Sequence, residues 1–200
     1  MFSGKKIILG VTGSIAAYKA AFLVRLIVKE GAEVKVIMTR SACDFITPLT
    51  LSVLSKNPVS IEMFNAETGE WNNHVALASW ADIFIIAPAT ANSIAKFATG
   101  LCDNMLTAVY LSAVCKKYIA PAMDAEMWEH ETVKQNIATL KNHRCVIIPP
   151  AKGELASGIT GEGRMEEAEN IIRMIKDDLS GSLPLRKKKV LVTAGPTREN

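Results

Sequence analysis

The sequence predicts an α/β fold, with an open parallel β-sheet, helices on both of its faces and one hydrophobic core. Three short apolar runs are typical of buried parallel strands: residues 7–11, 83–88 and 118–120. Each run ends in small or polar residues, and a predicted helix follows each of them. A chain of 200 residues with 49% hydrophobic residues is long enough to bury one such core.

The first strand and the turn after it predict where a ligand could bind. Residues 5–19 pass from an apolar run through Thr12, Gly13 and Ser14 into a helical pattern that Gly31 ends as a C-cap. Such a turn directs free backbone N–H groups and the positive end of a helix dipole at one spot. That spot favours a phosphate. A strand–helix turn without a ligand is the alternative at this point.

The surrounding residues narrow the choice of phosphate compound. The glycine spacing differs from G-x-G-x-x-G, and no Gly-Lys-Ser/Thr follows it. The next predicted strand, residues 34–38, ends in Thr39, Arg40 and Ser41, where a dinucleotide fold usually carries an Asp or Glu for a ribose. Hydroxyls and a cation fit a phosphomonoester better, which favours FMN over NAD.

Composition and charge exclude several classes of function. The net charge of +3 and the lack of a basic stripe with aromatics argue against nucleic-acid binding. No uncharged apolar run is as long as a membrane span, and the chain starts directly with a core strand, so we expect neither a membrane segment nor a signal peptide. The four cysteines are scattered without a C-x-x-C pair. We therefore expect reduced thiols, a cytoplasmic protein and no metal site.

The segment after the second strand is predicted from local signals. Thr47 and Pro48 indicate the start of a helix. The apolar face of this helix is predicted to consist of Leu49, Val53 and Leu54. A short strand over residues 59–63 and a polar surface loop over residues 65–73 follow.

His74 lies where this loop meets a short helix. One interpretation is a plain helix-start residue; the other is a general base, since histidine titrates near neutral pH. The remaining histidines, His130 and His143, are predicted to be solvated, in a helix and at its polar end.

The ends of the second and third apolar strands carry unusual residues. Small side chains surround Thr90 and Asn92, which can cap the next helix or bond the edge of a ligand. After a helix over residues 105–114, the third strand ends in Pro121–Trp128, where Asp124 is a candidate N-cap. Because ligands of open parallel sheets lie beyond the carboxyl ends of the strands, these turns predict one site.

Four motifs occur in a characteristic order along the chain. They are Gly-x-x-Gly-Ser-Ile-Ala-Ala-Tyr-Lys (10–19), Asn-His (73–74) before Trp-Ala-Asp (80–82), Pro-Ala-Thr-Ala-Asn (88–92) and Pro-x-Met-x-x-x-Met-Trp (121–128). They resemble the flavin-containing cysteine decarboxylase family, and within it the phosphopantothenoylcysteine decarboxylases that are joined to a ligase. The resemblance runs from about Lys5 to Leu179.

This resemblance implies a flavodoxin-like fold and a homo-oligomer built from trimers, as a homotrimer or a homododecamer, with FMN between neighbours. It implies the decarboxylation of 4'-phosphopantothenoylcysteine to 4'-phosphopantetheine in coenzyme A biosynthesis, which is a carbon–carbon lyase activity. A cysteine carboxylate has no electron sink β to it. The resemblance therefore implies that flavin oxidises the cysteine to a thioaldehyde, that CO2 leaves, and that the ene-thiolate is reduced again.

The resemblance also implies roles for individual residues. The phosphate end of FMN would be held by Gly13, Ser14, Ile15 and Thr39. The ring would be surrounded by Phe45, Thr47, Pro88, Ala89, Thr90, Ala91 and Asn92. His74 matches the catalytic histidine of the family. Substrate-binding residues would be Asp124, Met127, Ala156, Gly158, Arg164 and Met165.

Two residues depart from the family pattern. Asp124 stands where the family has an Asn that contacts the substrate, and an ionised carboxylate would repel the substrate carboxylate unless Asp124 is protonated or a cation compensates. Ser157 stands where the best-known members have a cysteine that protonates the last intermediate. Both are therefore retained as catalytic candidates. The glycine-rich residues 153–165 around Ser157 resemble a mobile substrate clamp, although a plain flexible connection is the alternative.

The C-terminal part predicts the domain organisation. A decarboxylase domain over residues 1–180, which ends in a helix over 166–179, precedes a linker over 181–188. Residues 189–200 resemble the first strand of the ligase domain, so we expect this chain to lack ligase activity. Alternative functions are an oxidative cysteine decarboxylase that releases an enethiol, a flavin prenyltransferase and a non-catalytic FMN-binding relative. The ligase-like tail argues against the first two, and His74 argues against the third.

Overall fold

A computed structural model of the chain describes residues 1–64 and 67–181. Its main sheet has five parallel strands in the order β2-β1-β3-β4-β5. These strands are β1 Lys6–Val11, β2 Glu33–Met38, β3 Ile83–Ala89, β4 Lys116–Pro121 and β5 Val146–Ile147. The order is that of flavodoxin-like folds, whose ligands bind at the switch point between β1 and β3. The predicted fold class is confirmed.

Helices cover both faces of this sheet. One face packs against α1 Lys19–Lys29, α2 Pro48–Ser55 and α8 Ala168–Gly181. The other packs against α3 His74–Trp80, α4 Ala91–Thr99, α5 Met105–Ser112 and α7 Glu131–Asn142. Side chains of β1 alternate between the two cores, Ile7 and Leu9 towards the first and Ile8 towards the second.

The remaining elements of the described residues are short. Two 3₁₀ helices span Ile15–Tyr18 and Arg40–Asp44, and a short helix α6 spans Ala125–Glu129. Strands β6 Ala151–Glu154 and β7 Thr160–Arg164 form an antiparallel hairpin. The predicted loop over residues 153–165 is therefore largely strand, with a turn at its tip.

Two glycines of the first motif region have clear structural reasons. A Cβ at Gly10 would lie 2.6 Å from Leu106 Cδ1, so glycine lets α5 pack closely on the sheet. Gly31 follows α1 with a φ of +82°, a conformation that favours glycine and ends the helix as predicted.

The segment after β2 corrects two predictions. In α2, Leu51 is fully buried whereas Leu49 and Val53 are 71% and 67% exposed. The predicted apolar face was wrong for Leu49 and Val53, because the helix that begins at Pro48 turns Leu51 towards the core.

The predicted strand over residues 59–63 was also wrong. Only Ser60 pairs with the sheet, through an isolated bridge to Ile37. The Asn57 side chain donates to Val34 O at 2.9 Å, and Pro58 has no N–H to donate. A regular ladder therefore cannot extend along β2 from this segment.

Element boundaries differ slightly from the predictions. Helix α5 ends at Ser112, and α8 continues through Gly181, one residue into the predicted linker. The rest of that linker and the predicted ligase start, residues 182–200, lie outside the described residues. Within the described part of the chain, no helix has the length and apolar character that a membrane span needs.

Candidate functional site

A cavity of about 630 Å³ opens at the carboxyl ends of β1, β3 and β4. Its volume is in the range of ligand pockets, and its position is the switch point of the sheet. The turns that follow these three strands form its wall together with the β6–β7 hairpin. Eleven predicted site residues line it: Gly13, Ser14, Ile15, Thr90, Ala91, Asn92, Asp124, Met127, Ala156, Arg164 and Met165.

The turn after β1 is tightly packed. Ser14 is the N-cap of the first 3₁₀ helix, and its Oγ accepts a hydrogen bond from Ala16 N at 3.2 Å. A Cβ at Gly13 would lie 2.5 Å from Ser41 Oγ and 2.7 Å from Ser41 Cβ. Ser41 Oγ is 3.2 Å from Thr39 Oγ1. Thr39 therefore lies beside this turn, although it does not line the cavity.

Thr12 joins the first turn to the turn after β3. This residue is 1% exposed; its Oγ1 donates to Pro88 O at 2.8 Å and accepts from Thr90 N at 3.0 Å. Thr90 in turn caps α4, since its Oγ1 accepts from Ser93 N at 3.4 Å. The predicted capping role of Thr90 is confirmed, whereas sequence reasoning missed Thr12. The sequence signal that could have identified Thr12 is a hydroxyl residue at the end of an apolar strand.

The turn after β4 is organised differently. Asp124 occupies the N-cap position of α6, but its side chain makes no capping hydrogen bond. Its Oδ1 instead accepts a hydrogen bond from Ser157 Oγ at 2.9 Å. The carboxylate is thus turned from its own helix towards the hairpin.

The hairpin packs directly on this turn. Met123 N donates to Gly163 O at 3.0 Å, and a Cβ at Gly161 would lie 2.5 Å from Ala125 Cβ. At the tip, Leu155 N donates to Ile159 O at 2.9 Å. The glycines of the hairpin therefore permit a close approach that holds Ser157 next to Asp124.

A buried ammonium group lies at the base of the hairpin. Lys19 Nζ donates to Met165 O at 2.8 Å and to Glu167 Oε1 at 2.9 Å. The same carboxylate accepts from Arg164 at 3.0 Å. The hydrogen bond from Lys19 is the main cause that lowers the pKa of Glu167 below its ordinary value.

Sequence reasoning missed Lys19 and several other residues of the wall. The remaining lining residues that it missed are Ala16, Tyr18, Ala122, Met123, Leu155 and Gly163. Most of them are sequence neighbours of predicted residues. The motifs that identified those turns therefore also marked the missed residues. Glu154 adds a second carboxylate, beside that of Asp124.

Other predicted site residues lie outside this cavity. They are Thr39, Phe45, Thr47, His74, Pro88, Ala89, Ser157 and Gly158. Pro88 and Ala89 are buried in β3, and Thr47 caps α2 by accepting from Thr50 N at 3.2 Å. Phe45 is 47% exposed.

His74 begins α3, and the centre of its ring is 6.0 Å from that of Trp71. Its Nδ1 is buried and has no hydrogen-bond partner among the described residues. A buried nitrogen without a partner is unfavourable, so this position is suited to a group that the described part of one chain does not supply.

Comparison with known proteins adds a family and several relatives. The model of the family described as Flavoprotein matches residues 1–180. The chain is 45% identical over 201 residues to the coenzyme A biosynthesis bifunctional protein CoaBC of Bacillus subtilis (strain 168), covering 100% of this chain and 50% of that protein. It is 49% identical over 158 residues to a cysteine/cysteine sulfinic acid decarboxylase of an unknown prokaryotic organism, covering 77% of this chain and 44% of that protein. The chain spans about half the length of these curated relatives.

Two solved structures share the fold. A PPC decarboxylase mutant complexed with pantothenoylaminoethenethiol has a TM-score of 0.77 and 31% identity, with 88% of this chain and 98% of that chain covered. The FMN binding protein AtHal3 has a TM-score of 0.75 and 31% identity, with 90% and 98% covered.

Proposed function

Because the chain belongs to the flavoprotein family, we propose that it binds FMN and decarboxylates 4'-phosphopantothenoylcysteine to 4'-phosphopantetheine in coenzyme A biosynthesis. The names of its relatives support this proposal. The observation that carries it is the cavity, where three strand-end turns meet the hairpin.

The residues of the cavity fit FMN. The Gly13–Ser14 turn opens a helical segment whose N-terminus suits the phosphate, with Ile15 and Thr39 beside it. Small residues such as Ala91 leave room for a flat ring. The other residues proposed around this ring are Phe45, Thr47, Pro88, Ala89, Thr90 and Asn92.

The chemistry that FMN supplies when bound is reversible hydride transfer, which gives the substrate a C=S electron sink. The protein contributes position, charge and exclusion of water. We assign substrate contacts to Asp124, Met127, Ala156, Gly158, Arg164 and Met165. The hairpin β6–β7 is then the element that covers the reacting atoms.

Ser157 and Asp124 are proposed to handle the proton that replaces CO2 on the substrate carbon. A serine hydroxyl is a far weaker acid than a thiol, whose pKa is about 8.5, so Ser157 needs a partner. The hydrogen bond that Ser157 Oγ donates to Asp124 Oδ1 joins it to a carboxyl group. A protonated carboxyl of Asp124 or Glu154, or a bound water, would supply the proton that Ser157 relays to the carbon. Ser157→Ala should slow product formation without abolishing it, and Ser157→Cys should be as active or more active.

We propose that the chain assembles as a homotrimer, or as a homododecamer built from trimers, with His74 of a neighbouring copy completing each site as the base for the substrate thiol. Apolar side chains near the cavity support this, since Tyr18 and Phe22 are 48% and 54% exposed. The buried Nδ1 of His74, which has no hydrogen-bond partner in the described part of the chain, supports it as well.

His74→Asn is therefore expected to retain flavin but not to bleach it when substrate is added without oxygen. Mixed oligomers of His74→Asn with Asp124→Ala should regain activity, because some sites then combine two intact halves. Native mass spectrometry of the wild type gives the number of copies. Normal bleaching by His74→Asn would reduce His74 to a structural residue.

A second candidate substrate is cysteine or cysteine sulfinic acid with a free α-amine. The relative of that name supports it, and so do the Asp124 and Glu154 carboxylates in the cavity wall. A carboxylate can bind a cationic amine, whereas the amide nitrogen of phosphopantothenoylcysteine carries no charge.

The experiment that separates the two candidates is CO2 release by FMN-loaded protein with each substrate. Our proposal predicts a higher kcat/KM for 4'-phosphopantothenoylcysteine than for cysteine. Asp124→Asn should then improve the affinity for it if the carboxylate repels the substrate. A higher kcat/KM for free cysteine would favour the second candidate, and CO2 release from neither would contradict both.

We also propose a cytoplasmic location for this activity. The described cysteines Cys43, Cys102, Cys115 and Cys145 are free thiols, which suits a reducing compartment. Fractionation of the native cells, with activity followed in each fraction, tests this proposal.

A further inference from the structure

Lys19 is a charged group in an unusual place. Its side chain is 4% exposed, although it begins α1 at the edge of the cavity. A buried ammonium is unfavourable unless acceptors and opposite charge surround it. Such a group is retained at a ligand site more readily than in an apolar core.

The partners of Lys19 do not use its full capacity. An ammonium group has three N–H donors, and the described residues supply acceptors for two of them, Met165 O and Glu167 Oε1. The third N–H of Lys19 has no acceptor among the described residues, so it is available to a ligand.

The charges around Lys19 are also unbalanced. The single carboxylate of Glu167 accepts from both Lys19 and Arg164, and its lowered pKa keeps it ionised. Two cations thus share one anion at this end of the cavity. Asp124 and Glu154 also line the cavity. Around Glu167 itself, however, two cations meet one carboxylate, and this local excess of positive charge favours an anion beside Lys19.

We propose that Lys19 is an oxyanion-binding residue, whose third N–H donates to a carboxylate or phosphate oxygen of a ligand in this cavity. This deepens the proposed function and rests on it only for the identity of the ligand. The oxyanion belongs either to the substrate or to the phosphate of FMN, and the two sources can be separated.

The test compares Lys19→Met with the wild type in two matched measurements. Retention of FMN relative to riboflavin reports on the cofactor phosphate. The flavin difference spectrum of FMN-loaded protein with 3-mercaptopropionate, relative to 1-propanethiol, reports on a substrate carboxylate. One of these ratios should fall roughly tenfold or more, as expected for a charge-assisted hydrogen bond, and the affected ratio identifies the source.

Two further variants exclude a merely structural role. Lys176→Met removes a more exposed Lys–Glu ion pair outside the cavity, Lys176 Nζ to Glu30 Oε1 at 2.6 Å, and should leave both ratios unchanged. Glu167→Gln removes the anion that competes for Lys19, so the affected ratio should rise about threefold or more. A structural anchor predicts no rise, and this variant decides the matter if Lys19→Met does not fold.

Inorganic phosphate gives a readout that needs no flavin. It should raise the melting temperature of the wild type more than that of Lys19→Met. Ratios within about twofold of the wild type in Lys19→Met, or a lowered ratio in Glu167→Gln, would overturn the proposal. Failure to bind FMN with an intact phosphate effect would instead contradict only the proposed function.

Discussion

The turn after β1 and the turn after β4 reach the same cavity, but they satisfy their helices differently. In the first turn, the hydroxyl of Ser14 caps the helix by accepting a hydrogen bond from Ala16 N. In the other, Asp124 leaves the N-terminus of α6 without a side-chain cap and bonds Ser157 of the hairpin. Asp is a favoured capping residue, so its use elsewhere calls for a reason.

This difference indicates a division of labour within the cavity. A side chain that caps its own helix is fixed and shapes the wall, as Ser14 and Thr90 do. A side chain that leaves its helix is available to a ligand or to a covering element. The β1 side of the cavity is therefore suited to holding a ligand group that does not react, such as a phosphate. The β4 side is suited to the part of the ligand that reacts.

The largest expected effect is at the rigid β1 turn. Gly13→Ala puts a Cβ within 3.0 Å of the Ser41 backbone and closer still to its side chain, so the turn must shift. Flavin content of the purified protein, measured by absorbance, should fall at least about tenfold because the phosphate site is displaced. Gly153→Ala is the control, since its Cβ meets Arg164 only at 3.5 Å. Full flavin occupancy in Gly13→Ala would show that the phosphate does not bind at this turn.

Thr12→Val should have the next largest effect, on stability. It leaves the buried Pro88 O without its hydroxyl donor and Thr90 N without an acceptor. The free energy of unfolding in urea should drop by about 1–3 kcal/mol. An unchanged value would show that the two turns are not coupled through Thr12.

A pair of capping variants compares the two sides directly. Thr90→Ala should lower the free energy of unfolding by about 1 kcal/mol, because Ser93 N loses its cap. Asp124→Ala should lower it by no more than about 0.5 kcal/mol, while impairing turnover more than Thr90→Ala does. Denaturant titration and CO2 release measure the two effects. The division of labour fails if Asp124→Ala is the more destabilising variant.

The smallest expected effect is the pH dependence that Glu167 contributes. Its pKa is lowered from an ordinary value of 4.5, mainly by the hydrogen bond from Lys19. A lowered folded-state pKa stabilises the fold above about pH 4.5 and loses that contribution as the pH falls further. Glu167 is 49% exposed, so solvent screening keeps this contribution below about 1 kcal/mol.

Urea unfolding across pH checks this expectation. The wild type should exceed Glu167→Gln in free energy of unfolding near neutral pH, and the difference should shrink in acid below pH 4.5. A difference that grows in acid would show that the pKa shift has the opposite sign.

The sequence predicted the sheet because buried parallel strands are recognisable as apolar runs. β5 was missed because it contains only Val146 and Ile147, which is too short for a periodic pattern. The hairpin was missed because β7 is Thr160–Arg164, a glycine-containing run without an apolar face. Its geometry depends on packing against Met123 and Ala125, which no local pattern shows.

The candidate site was predictable where a turn carries its own signal, as with Gly13 and Asp124. Lys19 was missed because its acceptor Met165 lies 146 positions away, and Thr12 because its partners lie 76 and 78 positions away. Side-chain pairing at such separations follows from the tertiary fold alone. The role of His74 stays a prediction, because the role proposed for it requires an assembly of several copies.

The most direct measurement of the central claim is the mass of the product released by FMN-loaded wild-type protein from 4'-phosphopantothenoylcysteine. We predict CO2 loss, the saturated thiol 4'-phosphopantetheine, and flavin that is oxidised again at the end of the reaction. A product two hydrogens lighter, with flavin left reduced in the absence of oxygen, would contradict the account. The chain would then be an oxidative decarboxylase, in which Ser157 and Asp124 do not complete the reduction.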